Sequence, residues 1–246
     1  KAPYCVNVGV SGGELLLPCG NRNMRMNSYD LFDREFGDFL VYELVPHIEK
    51  NYNIKISPFA DMHCISGGSS GGISAFVTAW FHPNYFHRVY MSSPSFLAMG
   101  RGNEVPHLIR KCETKPIKIY MECSENEPSD YFGWSRSVIE DVREALEFAR
   151  YDFKYKYLDG EWHCSRYRNE TEAYERNEWL WANWQSPVKS RANSPRIEQI
   201  LPNNSSWERC DSFPSVEKIE DDALLEGYNT VVQSNDGCVF YAATVD

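Results

Sequence analysis

The sequence predicts an α/β fold in which a mostly parallel sheet is covered by helices on both faces. Two observations carry this prediction. Predicted strands and amphipathic helices alternate between residues 33 and 184, which is the pattern of βαβ units. Within this stretch, a turn rich in glycine and serine joins a strand to a helix at residues 65–76. A chain of 246 residues can hold one large domain of this kind and a short extension.

Each element follows from its hydrophobic periodicity. Asp33 to Tyr52 has apolar residues at helical spacing, with Pro46 as a potential kink. The predicted buried strands are Tyr4–Val10, Asp61–Ile65, His87–Met91, Pro116–Glu122 and Phe153–Tyr157. The other predicted helices are Ile73–Phe81, Trp134–Arg150 and Thr171–Trp184, and Arg22–Asp30 is predicted to be a polar loop.

The turn contains two overlapping G-x-S-x-G patterns, Gly67-x-Ser69-x-Gly71 and Gly68-x-Ser70-x-Gly72. A serine at the apex of such a turn has its hydroxyl exposed for nucleophilic attack, and the tight turn requires small neighbours. The first pattern leaves the helix more room to begin. It therefore predicts Ser69 as the nucleophile, with the backbone N–H of Ser70 binding an oxyanion. The alternative is a glycine- and serine-rich turn without chemistry.

A serine nucleophile needs a histidine base and an acid that orients the base. Five of the six histidines are interpreted as surface or structural groups: His47, His63, His82, His87 and His107. Only His163 follows a late predicted strand, in a turn that contains glycine, and it is therefore the predicted base. The acid is expected in the loop after strand Pro116–Glu122. There Glu127, which precedes Pro128, is the first candidate, and Asp130 is the second.

Composition excludes several classes of partner. The formal net charge of −10 disfavours nucleic acids and anionic lipid surfaces, which attract clustered Lys and Arg. No apolar run is long enough to span a membrane, so no membrane partner is expected. The eight cysteines form no C-x-x-C pair and predict neither a metal site nor a cofactor.

The character of the sequence changes after residue 185. Residues 186–206 are rich in Pro, Ser, Asn and Arg and are predicted to be a linker. Residues 207–246 contain two strand-like segments on either side of Asn235-Asp236-Gly237, which predicts a hairpin. A segment of this size cannot bury a core of its own. We therefore interpret residues 1–185 as the main domain and residues 207–246 as a β-rich tail.

With these residues identified, residues 4–185 resemble the enterochelin-esterase and esterase-D-like branch of the α/β hydrolases. The resemblance is carried by Ser28-Tyr29-Asp30, Gly67-Gly68-Ser69-Ser70-Gly71-Gly72, His82-Pro83 and Ser92-Ser93-Pro94-Ser95-Phe96. It implies an α/β-hydrolase fold with Ser69 as the nucleophile, His163 in Gly160-Glu161-Trp162-His163 as the base, and an acid matching Glu127-Pro128. The early strands and the oxyanion loop of the family are missing, which predicts an N-terminally incomplete domain.

The tail resembles the opening of a gluconolactonase-like β-propeller, through Trp207-Glu208, Glu226-Gly227 and Gly237-Cys238-Val239-Phe240-Tyr241. In that family Glu226 would correspond to a metal ligand. Because one blade cannot form the site, no metal is expected.

The predicted function is that of a serine carboxylic ester hydrolase, acting through an acyl-enzyme on a small or carbohydrate-linked ester. Two alternatives stay open. One is acyl transfer to an alcohol on the same fold. The other is a non-catalytic binding module or an inactive fragment.

Overall fold

A parallel sheet of four strands organises the first of the two units into which the chain divides. The structure, a computed structural model, describes residues 5–130, 133–165, 170–184, 230–233 and 239–242. The sheet strands are β3 (Cys64–Gly68), β4 (Arg88–Ser92), β5 (Lys118–Asn126) and β8 (Asp152–Trp162), in the order β3-β4-β5-β8. All neighbouring pairs in this sheet are parallel. The predicted α/β fold with a mostly parallel sheet is therefore confirmed.

Helices connect the strands, as a parallel sheet requires. The helices are α1 (Arg25–Tyr29), α2 (Glu35–Asp38), α3 (Val45–Tyr52), α4 (Ser70–Phe81), α5 (Val105–Lys111), α6 (Ser135–Phe148) and α7 (Glu170–Leu180). A π-helical turn, Phe39–Leu44, joins α2 to α3, so the predicted helix over residues 33–52 forms with an irregular centre just before Pro46. The remaining strands pair as two-stranded units: β1 (Glu14–Leu17) with β2 (Gly20–Asn23), β6 (Ser129–Asp130) with β7 (Gly133–Trp134), and β9 (Thr230–Gln233) with β10 (Val239–Ala242).

The core lies between one face of the sheet and α4, α5 and α6. Residues at alternate positions of β4 and β5 face these helices, because successive side chains of a strand point to opposite faces. Helix α4 is buried from Gly72 to Trp80, which explains why its sequence is apolar or small on every side. The main buried side chains are Ile73, Phe76, Val89, Met91, Ile119, Met121, Ile139, Val142 and Leu146. On the other face, Tyr90 and Tyr120 contact α7.

Two predictions near the N-terminus are wrong. Over residues 5–10 the structure has no strand, and Cys5 to Gly9 are exposed. Hydrophobic content alone favoured a buried strand there. The segment 22–30, predicted as a loop, contains part of β2 and helix α1. Tyr29 of this helix is buried, and its hydroxyl donates to the Val10 carbonyl. This tertiary contact fixes a short helix that has no periodic pattern.

The chain divides into two units, Lys1–Ser194 and Pro195–Asp246. In the second unit, β9 and β10 pair antiparallel, as the predicted hairpin requires. The predicted linker at 186–206 and the propeller-like residues Trp207, Glu226 and Gly237 lie outside the described residues, so the domain division stays a prediction. Within the described parts of the chain, no helix is both long and apolar enough to cross a membrane.

Candidate active site

Ser69 occupies the apex of the turn between β3 and α4. Its backbone has φ 57° and ψ −127°, a left-handed conformation that is uncommon for residues other than glycine. Helix α4 begins at the next residue, Ser70. The backbone thus adopts the Gly67-x-Ser69-x-Gly71 register.

Close approaches within the fold explain two glycines of the turn, Gly67 and Gly72. A Cβ atom on Gly67 would lie 2.2 Å from the carbonyl oxygen of Gly71, which no side chain could tolerate. A Cβ atom on Gly72 would lie 3.1 Å from Cβ of Pro94. The amide of Ser69 donates to the Ser92 carbonyl over 2.9 Å, which ties the turn to the end of β4. Steric crowding and this hydrogen bond together hold the strained serine in place.

Ser70 is the first residue of α4. The N–H groups in the first turn of a helix have no acceptor within the helix, and the N–H of Ser70 is one of them. Its hydroxyl hydrogen-bonds to the carboxyl group of Asp30, which is only 5% exposed. Burial raises the pKa of Asp30, although the bond from Ser70 and the charge of Arg25 partly oppose this shift. The side chain of Ser70 is therefore turned to Asp30, and its N–H has no acceptor within the helix.

His163 and Glu127 form a direct pair. Nδ1 of His163 lies 2.5 Å from Oε2 of Glu127, although the two residues are 36 positions apart. Glu127 follows β5 and His163 follows β8, so the ends of two adjacent parallel strands bring them together. The pairing of these two predicted residues is thus present in the structure. The second candidate acid, Asp130, lies on β6, where its backbone pairs with Gly133.

The carboxylate of Glu127 is held by several donors. The amide of Ser124 donates to Oε1 over 2.9 Å, and the Ser93 hydroxyl also hydrogen-bonds to the carboxylate. Burial alone would raise the pKa of Glu127, but the hydrogen bonds from His163, Ser93 and Ser124 outweigh it and lower the pKa. Glu127 is therefore ionised at neutral pH and can orient the imidazole.

The imidazole of His163 is half-buried, and its pKa is raised. The proximity of Cys164 and the hydrogen bond with Glu127 are the main causes, and burial opposes them. Within the described chain, no hydrogen bond joins the hydroxyl of Ser69 to this ring. The Ser69 hydroxyl lies instead 3.0 Å from Oγ of Ser95. The structure thus brings His163 and Glu127 into contact and leaves Ser69 with a different partner.

An open depression of about 510 Å³ lies beside the pair. Its lining residues are Asn126, Glu127, Pro128, Ser129, Trp162 and His163. Trp162 is 71% exposed, which is unusual for so large an apolar ring. The depression therefore offers an apolar wall next to the histidine.

Sequence reasoning missed four residues of this region: Asp30, Ser93, Ser95 and Cys164. Asp30, Ser93 and Ser95 lie within the segments Ser28-Tyr29-Asp30 and Ser92-Ser93-Pro94-Ser95, which carry the family resemblance. The resemblance could therefore have pointed to these residues, but it assigned no function to them. Cys164 gave no signal beyond its position after His163. Among the residues that the structure describes, no cluster of His, Cys, Asp and Glu could hold a metal ion.

Comparison with known proteins identifies the family of this chain. A model of the Esterase family, described as "Putative esterase", matches residues 18–221. The chain belongs to this esterase family. No curated protein is significantly similar in sequence.

Solved structures with a similar fold include the enterobactin esterase of Shigella flexneri in the presence of enterobactin, with 18% identity, a TM-score of 0.51, and coverage of 65% of this chain and 40% of that one. An S-formylglutathione hydrolase from Agrobacterium tumefaciens has 14% identity, a TM-score of 0.47, and coverage of 74% and 71%. At these identities the likeness concerns the α/β-hydrolase fold. This chain spans only 36–40% of the length of the enterobactin esterases that it matches.

Proposed function

We propose that this esterase hydrolyses carboxylic esters with Ser69 as the nucleophile, His163 as the general base and Glu127 as the orienting acid. The observation that carries the proposal is the combination of a strained serine after β3 with an imidazole–carboxylate pair after β5 and β8. In a parallel sheet these three positions share the carboxyl edge, where α/β proteins bind ligands. Family membership supports the reaction class.

The tautomer of His163 determines which nitrogen acts as the base. Because Nδ1 faces the ionised Glu127, it carries the proton of that hydrogen bond. Nε2 is then the nitrogen that accepts a proton from Ser69. The hydroxyl of Ser69 must exchange its Ser95 partner for Nε2 when substrate binds. Catalytic hydrogen bonds often form fully only in the substrate complex.

The reaction follows in two halves. Oγ of Ser69 attacks the ester carbonyl as its proton passes to His163, and the resulting oxyanion accepts a hydrogen bond from the Ser70 N–H. The tetrahedral intermediate collapses, the C–O bond to the alcohol breaks, and His163 protonates the departing alcohol. Water then attacks the acyl-enzyme with His163 again as the base, releasing the acid and restoring Ser69.

The substrate in this proposal is a small or carbohydrate-linked ester whose reacting carbonyl reaches Ser69 from the depression beside His163. The exposed ring of Trp162 provides an apolar contact for one side of the substrate. Enterobactin, which is present in the solved structure of the Shigella flexneri enterobactin esterase, is a candidate substrate to compare with simple esters, because the two folds are alike.

Hydrolysis of p-nitrophenyl acetate by the wild-type protein and by Ser69→Ala tests the proposal. We expect Ser69→Ala to lose at least about 1,000-fold in kcat, because no other group can form the acyl-enzyme. Ser70→Ala is the matched control. It keeps the backbone N–H and is expected to retain most of the activity.

A fluorophosphonate probe should label Ser69, as located by mass spectrometry of peptides. Equal rates for wild type and Ser69→Ala, or labelling of Ser70 instead of Ser69, would overturn the assignment.

A further inference from the structure

Cys164, the residue after His163, joins the histidine turn to the end of β4. Its Sγ donates to the carbonyl of Ser92 over 3.3 Å, and its N–H donates to Oγ of Ser93 over 3.3 Å. Its backbone has a φ of 49°, a left-handed conformation that costs free energy for a residue with a side chain. Two hydrogen bonds to a distant segment offset this cost and fix the direction of the turn.

The groups that bind Cys164 also hold the nucleophile and the acid. The carbonyl of Ser92 accepts the amide of Ser69 over 2.9 Å, so one oxygen binds both the nucleophile's backbone and the thiol. The hydroxyl of Ser93 lies 3.2 Å from Oγ of Ser124 and also bonds to the carboxylate of Glu127. Cys164 is thus connected to Ser69 through Ser92 and to Glu127 through Ser93.

Gly68 makes room for the thiol. A Cβ atom on Gly68 would lie 3.0 Å from Sγ of Cys164, closer than ordinary van der Waals contact. The next nearest atoms belong to Ser92, at 3.5 and 3.7 Å, which is normal contact. The missing side chain at position 68 therefore matters because of Cys164 and not because of the backbone conformation.

We propose that Cys164 is a positioning residue for His163, whose thiol docks the histidine turn against the nucleophile turn in the space left by Gly68. The inference rests on the proposed role of His163 as the base. The thiol is proposed to control the distance between His163 and Ser69. A displacement of about 1 Å between reacting groups can lower the rate about 100-fold. Docking of this turn sets the imidazole against Glu127, and the proximity of Cys164 and the hydrogen bond with Glu127 both raise the pKa of His163.

Substitution of Cys164 gives the first test. Cys164→Ala removes the thiol, and we expect kcat for p-nitrophenyl acetate to fall about 10- to 100-fold with little change in KM. Cys164→Ser retains a donor for the Ser92 carbonyl and is expected to stay within about threefold of wild type. Cys112→Ala, at another half-buried free cysteine just after α5, is the matched control and should leave kcat unchanged.

A double-mutant cycle with Gly68→Ala gives the second test. The added methyl group should displace the thiol and lower kcat about tenfold. In Gly68→Ala/Cys164→Ala the clash is gone, so kcat should equal that of Cys164→Ala alone. Multiplicative losses in the double variant would overturn the inference, because they would mean that the two sites act independently.

A measurement that needs no activity separates this inference from the proposed function. Titration of the His163 ring by NMR should give a lower pKa in Cys164→Ala than in wild type, and an unchanged pKa in Cys112→Ala. One outcome is that Ser69→Ala is as active as wild type while the pKa of His163 falls in Cys164→Ala. The proposed function would then be wrong, and the positioning of His163 by Cys164 would still be supported. If Ser69→Ala is inactive and Cys164→Ala matches wild type in both kcat and the pKa of His163, the positioning role is excluded.

Discussion

The turn around Ser69, the proposed nucleophile, and the His163–Glu127 pair, the proposed base and acid, lie at the same edge of the sheet but are held in different ways. The turn around Ser69 is held mainly by backbone contacts: Gly67 packs directly against the Gly71 carbonyl, and the Ser69 amide donates to the Ser92 carbonyl. Glu127 and His163 lie on separate loops and are joined by side-chain hydrogen bonds. The difference teaches that a side chain added at Gly67 should damage folding, whereas substitutions in the His163–Glu127 pair should damage chemistry in a protein that still folds.

The largest effect is expected for Glu127→Gln. The amide NH₂ group would donate to Nδ1 of His163, which moves the ring proton to Nε2 and blocks acceptance of the Ser69 proton. We expect a loss of about 1,000- to 10,000-fold in kcat, as for the equivalent change in a serine-protease triad. The measurement is steady-state hydrolysis of p-nitrophenyl acetate, with circular dichroism to show that the fold is retained.

Asp130→Asn is the control for this prediction. Asp130 follows Glu127 by three positions and lies on the short strand β6, and the change should stay within about threefold of wild type. A greater loss in Asp130→Asn than in Glu127→Gln would assign the acid to Asp130.

The next effect concerns the nucleophile turn. Gly67→Ala would force a methyl group to within 2.2 Å of a backbone oxygen, so the turn must open. We expect the free energy of unfolding, measured with urea, to fall by about 3 kcal/mol. Gly71→Ala is the matched control. A Cβ atom there meets nothing within 4 Å, and the position is helical, so stability should rise by up to about 1 kcal/mol. Equal stabilities for the two variants would refute the steric account of the turn.

The smallest effect is the pH dependence of the pair. The pKa of His163 is raised above 6.5, so its contribution to stability is complete below pH 6.5 and is lost as the pH rises through the raised pKa. The pKa of Glu127 is lowered below 4.5, so its contribution is present above pH 4.5 and is lost as the pH falls through the lowered pKa.

Urea unfolding of wild type and Glu127→Gln over this pH range checks the prediction. The curve of Glu127→Gln should be flatter on both sides. In the wild type, kcat/KM should rise with pH through an apparent pKa above 6.5, because the base must be neutral. Identical pH profiles of stability for the two proteins would show that the pair does not stabilise the fold.

The contrast between the two regions also explains which predictions succeeded. The helix after Ser69 and the strands of the sheet follow from hydrophobic periodicity, and the structure confirms them. The segments at residues 5–10 and 22–30 were predicted wrongly, since tertiary contacts such as that of Tyr29 with Val10 decide their conformation. A short segment without periodicity carries too little local information to resist such contacts.

By itself, the sequence determined the α/β fold and the strand–turn–helix around Ser69. Both follow from local properties of the chain: the spacing of apolar residues and the steric crowding within the turn. It also narrowed the base and the acid to a few loop residues through chain order. Only the tertiary structure decided that His163 meets Glu127, that Ser70 binds Asp30, and that Cys164 fills the space beside Gly68. These contacts join segments far apart in the chain, and their geometry depends on strand register and loop direction, which no local pattern specifies.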